Sequence, residues 1–195
     1  MKERSSIIII EGPQGVGKST LANYLRDNIP SCNLYRLSGI KDKTKEGYEK
    51  NKKMYNDLLE YMKKLEGIGI NLIFDRTFFT EEVYCNLGYK EYKFNDVYEK
   101  LVKKLNDLDF DIYFVVLGIK DTTLYEKRLK RDHHEYQKFS ISSSVLQQEE
   151  YIKIQDEIKE KNINKLLIYT DDYDQAYKEI IESIPILKEN IKTYK

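Results

Sequence analysis

The chain has 195 residues, 41% of them hydrophobic, with 33 basic and 33 acidic side chains and no formal net charge. That length suits one domain over 1–195, and that apolar share suits a packed core, not a disordered tail. A neutral balance supplies no broad basic field, which disfavours a nucleic-acid partner. Apolar runs such as Ile7–Ile10 fall far short of the ~20 residues a spanning helix needs, and the N-terminus shows no signal-peptide pattern. Cys32 and Cys85 lack C-x-x-C spacing, as expected in a reducing compartment. His133 and His134 are adjacent, which is a poor basis for a metal site. The expectation is a cytoplasmic protein without membrane contact. Only six of the 33 cations are arginine, so each arginine merits inspection.

Ser5–Glu11 reads as a buried strand, because Ile7–Ile10 is continuous and β-branched. Lys18–Ile29 reads as a helix with Leu21, Ala22, Leu25 and Ile29 on one face, ended by Pro30. Asn33–Leu37 is a short second strand. Lys45–Glu66 is helical, with Met54, Leu58, Met62 and Leu65 in register, and Gly67 and Gly69 stop it. Ile70–Asp75 is a third strand and Thr77–Leu87 a helix, followed by a helix over Asn95–Leu108 capped by Asn95. Asp111–Leu117 is a fourth strand. Asp121–Asp132 is a helix opening on Thr122–Thr123, Tyr136–Ser144 a polar loop, and Ser144–Glu160 a charged helix. Lys165–Tyr169 is a fifth strand, and the apolar stripe of Tyr173–Ile184 closes the chain. Strands alternating with helices predict an α/β three-layer sandwich, a five-stranded parallel sheet with helices on both faces. Ligands of such sheets bind outside the carboxyl ends of the strands.

The first of those ends reads Gly12-Pro13-Gln14-Gly15-Val16-Gly17-Lys18-Ser19-Thr20, which is G-x-x-x-x-G-K-[ST] between a predicted strand and a predicted helix. The glycines let backbone N–H groups face inward around an anion, and the helix N-terminus adds partial positive charge. Lys18 can reach the β- and γ-phosphates of a nucleotide such as ATP, and the Ser19 hydroxyl can ligate Mg2+. A GTPase switch is disfavoured: no Asp is followed three places later by Gly, and Lys120-Asp121 lacks the preceding Asn. The third strand ends in Asp75-Arg76. An Asp there can hold Mg2+, and the Arg offers a planar fork for phosphate oxygens. A solvated turn Asp beside a surface Arg is the bland alternative.

Asp75-Arg76-Thr77-Phe78-Phe79-Thr80-Glu81-Glu82-Val83-Tyr84-Cys85 resembles the D-R-[aromatic or His]-x-x-S-x-x-A-Y-Q signature of the thymidylate kinase-like branch of P-loop nucleoside and nucleoside-monophosphate kinases. Asp75, Arg76 and Tyr84 match and Thr80 keeps the hydroxyl, whereas Thr77 and Cys85 depart. The opening Ile10–Leu21 is similar to this branch as well, and the alternation of elements fits over nearly the whole chain. The resemblance implies a lid around 125–145 whose Arg128 and Arg131, at i and i+3, neutralise charge on the transferring phosphoryl group. An ordinary basic helix face is the alternative there. It also implies that Arg36 grips the acceptor's phosphate, and that Phe78, Phe79 and Tyr84 include a base-stacking surface. Core packing is the commoner role for any one of those aromatics. Gln14 stands where the family carries an acid that touches the acceptor sugar, which counts against thymidylate itself.

The expected function is Mg·ATP-dependent phosphoryl transfer to a nucleoside monophosphate, with a deoxynucleotide such as dTMP as the first choice. Two rivals stand beside it: a deoxynucleoside kinase acting on a 5′-hydroxyl, and a P-loop nucleotide-binding regulator without turnover. The partner expected is the small-molecule nucleotide, and oligomeric state is left open, a homodimer included.

Overall fold

A strand buried on both faces needs neighbours on both edges and helices above and below. In the computed structural model, which describes residues 4–131 and 141–191, Ser6–Glu11 forms such a strand, β1, buried at every residue. It pairs in parallel with β3 (Asn71–Asp75), Ile8 opposite Ile73, and with β4 (Asp111–Gly118), Ile8 opposite Tyr113. β2 (Cys32–Arg36) flanks β3, and β5 (Ile163–Tyr169) flanks β4. The order β2-β3-β1-β4-β5 is parallel throughout, as the alternation of elements predicts.

Side-chain alternation along the strands builds two cores. Ile7, Ile9, Leu72, Phe74, Ile112 and Phe114 face α2 (Lys45–Lys64), α3 (Phe78–Asn86), α4 (Asn95–Asn106) and α6 (Ile141–Glu157). Ile8, Ile10, Ile73, Val115 and Leu117 face α1 (Lys18–Asn28), α5 (Thr123–Arg131), α7 (Tyr173–Ser183) and α8 (Pro185–Ile191). Each buried isoleucine is worth about 1.5–3 kcal/mol over its exposed state. No described helix is long and apolar enough to cross a membrane.

Several boundaries differ from the sequence reading by a few residues, and three of them matter. Asn95 is the first helical residue of α4 and not its cap. Phe94 holds the cap position because its ring is wholly buried in the first core and fixes how the chain enters the helix. α6 begins at Ile141, upstream of the expected Ser144. The chain does not close at Ile184: Pro185, well suited to a first helical turn, opens α8, whose Leu187 seals the second core. The loop expected over Tyr136–Ser144 lies mostly outside the described residues, as do His133 and His134.

Candidate active site

At the end of β1 the chain turns at Gly12, where φ is 143°. A Cβ there would lie 2.7 Å from the carbonyl oxygen of Leu117 in β4, so only glycine lets the turn leave the sheet this closely. Gly15 and Gly17, also at positive φ, continue the curl into α1. Lys18 folds back over it, its Nζ donating to the Pro13 carbonyl at 2.7 Å. The lysine is 7% exposed. Burial, then the charge of Arg76, lowers its pKa well below the usual lysine range, against the opposing pull of Asp75 and Glu11. A buried ammonium beside a guanidinium is relieved by an anion, and the inward-facing backbone is built to receive one. Val16 is buried, and its carbonyl accepts from Thr170 Oγ1 at 2.6 Å, tying the loop to the end of β5.

The parallel pairing of β1 and β3 brings Asp75 alongside the loop. Ser19 Oγ donates to Asp75 Oδ2 at 2.8 Å. A hydroxyl and a carboxylate at that spacing fit a Mg2+ ion bound through few protein ligands. Among the described residues no group of three or more His, Cys, Asp or Glu side chains could hold a metal by itself. The donor set therefore suits a cation completed by phosphate oxygens and water, as Mg2+ on a nucleotide is.

Arg76 follows at φ 74°, a left-handed conformation uncommon outside glycine. Its Nη1 donates to Thr80 Oγ1 (3.3 Å) and Tyr151 OH (3.2 Å). Arg36, at the end of β2, places Nε 3.9 Å from Asp75 Oδ2 with its side chain 54% exposed, and its fork also donates to Asn23. Between these groups lies a cavity of about 630 Å³. The phosphate-loop residues from Gln14 to Thr20, apart from Val16, form one wall. Arg36, Leu37, Ser38, Asp75 and Arg76 form the other. Its charged lining is thus Lys18, Arg36 and Arg76 against Asp75, a set made for anions.

Several expected site residues lie elsewhere. Phe78 and Phe79 are core residues and not a stacking surface: both are wholly buried, and Phe79 stacks on Phe114 at 4.0 Å between ring centroids. Their position in the first turn of α3 directs them under the sheet. Tyr84 is half-buried against Tyr89, outside the cavity lining. Thr80 is buried one layer behind the cavity, its hydroxyl donating to Glu11 Oε2 at 2.6 Å. Arg128 is 9% exposed, stacks over Tyr173 at 4.8 Å, and donates to Thr170 and the Val16 carbonyl. It braces the back of the phosphate loop. The side chain of Arg131 and residues 132–140 of the expected lid lie outside the described residues.

Glu11 is the residue that the sequence reading missed. Wholly buried, it accepts from Thr77 N (2.6 Å), Thr77 Oγ1 (3.0 Å) and Thr80 Oγ1, and so anchors the start of α3. Burial pushes its carboxyl up to about 7, against the opposing bonds from Thr80 and Thr77 and the charge of Arg76. The signal was the one used for Asp75, an acid at the carboxyl end of a buried strand. Tyr151 and Thr170 gave no such signal, since their distance from the loop in sequence hides their place beside it.

No protein-family model matches the chain, and comparison with curated proteins yields no match. Solved structures resemble it. The YorR protein from Bacillus subtilis, in complex with phosphorylated GDP, aligns over 90% of this chain and 93% of its own, with a TM-score of 0.62 and 20% identity. Thymidylate kinase from Candida albicans aligns over 94% of each chain, with a TM-score of 0.62 and 18% identity. Deoxyadenosine kinase from M. mycoides with bound dCTP covers 90% of this chain and 97% of its own, at 0.54 and 16%. The chain therefore has the P-loop fold shared by nucleoside and nucleotide kinases. At these identities the likeness is one of architecture.

Proposed function

We propose that the protein is a kinase that transfers a phosphoryl group from Mg·ATP to a nucleoside monophosphate, with a deoxynucleotide such as dTMP the first choice. The observation that carries this reading is the cavity: a phosphate cradle faces two forked cations across Asp75. Lys18 and the loop N–H groups bind the donor's phosphates. Ser19 and Asp75 hold Mg2+, which when bound supplies charge neutralisation on the β- and γ-oxygens. Arg36 and Arg76 orient the acceptor phosphate, which is already anionic and needs cations, not a base. The loop from Gly12 to Thr20 carries no arginine, and the resemblance to the kinase family implies that the lid supplies one to meet the transition-state charge. We assign that role to Arg131, because the fork of Arg128 is engaged with Thr170 and Val16.

The test is a panel of nucleosides and their monophosphates with Mg·ATP, read as ADP formed per acceptor. With a monophosphate acceptor, Arg36→Ala removes a charge-assisted contact of roughly 1.5–3 kcal/mol, so acceptor KM rises about tenfold or more while ATP KM barely moves. Faster turnover of nucleosides, with Arg36→Ala silent, would replace this reading by a nucleoside kinase. Asp75, the one carboxylate on the cavity wall among the described residues, would then take the hydroxyl's proton. ADP formation with no acceptor dependence, or none at all, would place the protein among nucleotide-binding regulators.

A further inference from the structure

A second set of buried charges lies beyond the phosphate-binding wall. Glu81 on α3 and Lys90 in the loop between α3 and α4 approach to 3.2 Å, their side chains 3% and 6% exposed. Desolvating two charges is costly, and their attraction offsets it only where the remaining donors and acceptors are also met. Here the lysine's other donors reach across the molecule. Lys90 Nζ donates to the carbonyls of Ile40 (2.7 Å) and Asp42 (3.3 Å). Tyr92 OH donates to Glu81 Oε1, and Asn51 Nδ2 on α2 donates to Tyr92 OH at 2.9 Å. The backbone adds Glu91 N to the Lys43 carbonyl at 2.9 Å. Every carbonyl acceptor in this set belongs to the 37–44 loop between β2 and α2.

That loop begins with Leu37 and Ser38, which wall the cavity beside Arg36. Its far end is pressed onto the first turn of α2. A Cβ at Gly47 would lie 2.3 Å from the Asp42 carbonyl oxygen, so glycine is required for the approach. Asp42 Oδ1 in turn accepts from Thr44 N and Oγ1. At its start Leu37 N donates to the Asp75 carbonyl at 3.0 Å, so the loop is held at both ends and, through Lys90, in the middle.

We propose that the Glu81–Lys90 pair is a clamp that positions the acceptor side of the cavity, by fixing the 37–44 loop and with it Arg36, Leu37 and Ser38. Both are positioning residues that act through the loop. The role of that wall rests on the kinase reading above; the clamping of the loop does not.

Lys90→Met in the full chain separates the two. Lys41 and Lys43 are exposed, so trypsin reports on the loop directly. Cleavage after them is expected to speed at least tenfold in the variant, with cleavage after Lys63 and Lys64 at the end of α2 unchanged. For whichever of dTMP, dAMP, dGMP and dCMP the wild type turns over fastest, acceptor KM should rise at least fivefold and ATP KM stay within twofold. If Lys90→Met does not fold, Glu81→Gln with Lys90→Met removes the stranded carboxylate and must give the same cleavage pattern. A folded variant cleaved at the wild-type rate after Lys41 and Lys43 overturns the clamp, and equal rises in both KM values overturn its link to the acceptor. If the wild type uses none of the four monophosphates, the deoxynucleotide reading falls and the cleavage result alone decides the clamp.

Discussion

Lys18 is buried, bonded to the Pro13 carbonyl, and destabilised as a cation by burial and by Arg76. Such a side chain serves a ligand and contributes little to the fold. Lys18→Ala is expected to cut turnover by about a hundredfold or more, the scale of a lost preorganised charge contact, while the melting temperature holds or rises. Steady-state ADP formation and a thermal scan on one preparation check both halves. Glu82 gives a prediction of the opposite kind. The residue is 5% exposed, and its Oε2 has no hydrogen-bond partner among the described residues. Burial, with Glu150, Glu99 and Asp96 nearby and the hydrogen bond to Asn86 opposing, pushes its pKa from the usual 4.5 up to about 7. Between those values the native state keeps a proton that the unfolded state has lost. Stability therefore falls as pH rises through that window, and the full cost stands above it. Glu82→Gln should stabilise by less than about 1 kcal/mol at pH 5 and by about 2–3 kcal/mol at pH 8, by urea unfolding. A gain independent of pH would refute this account.

Among the elements, α5 shows how one arginine can serve a neighbouring loop. Arg128 crosses from α5 to the end of β5 and the back of the phosphate loop, and lies over the Tyr173 ring at the start of α7. A lysine retains the charge but not the fork. Arg128→Lys should cost about 1.5–3 kcal/mol of stability, read as a lower urea midpoint with unchanged slope. A fall in kcat at wild-type stability would instead return Arg128 to the lid's transition-state role. The sequence had placed this arginine correctly on a helix. It had no means of showing which way the fork pointed, because Thr170 is remote in sequence and Val16 offers only a backbone carbonyl. The same holds at Phe94-Asn95: residue preference points to the asparagine as cap, and burial of the phenylalanine decides otherwise.

At the scale of the whole molecule, the cavity is assembled from the carboxyl ends of β1, β2 and β3, which the sheet order places side by side. A ligand bound there and not to the unfolded chain must stabilise the whole fold. Mg·ATP at about a hundred times its Kd should add about 2.7 kcal/mol, seen as a raised melting temperature, and the Lys18→Ala variant should lose most of that shift. An unshifted wild type would count against nucleotide binding itself. The central strands and the parallel sheet were legible in the sequence because apolar runs such as Ile7–Ile10 admit no solvent face and strands alternate with helical stripes; the order of the strands was not. Gly12–Thr20 was legible because its chemistry is local: glycines for the curl, a lysine and a hydroxyl at fixed offsets. Asp75-Arg76 was legible because a strand end next to such a loop has few other uses for that pair. Only the tertiary structure decided the rest. It sent Phe78 and Phe79 into the core, set Glu11 under α3, joined Tyr151 to Arg76, and brought Lys90 onto the loop after β2. Each of those depends on contacts between segments tens of residues apart, whose geometry is fixed by how the helices pack on the sheet and leaves no periodicity or spacing in the chain.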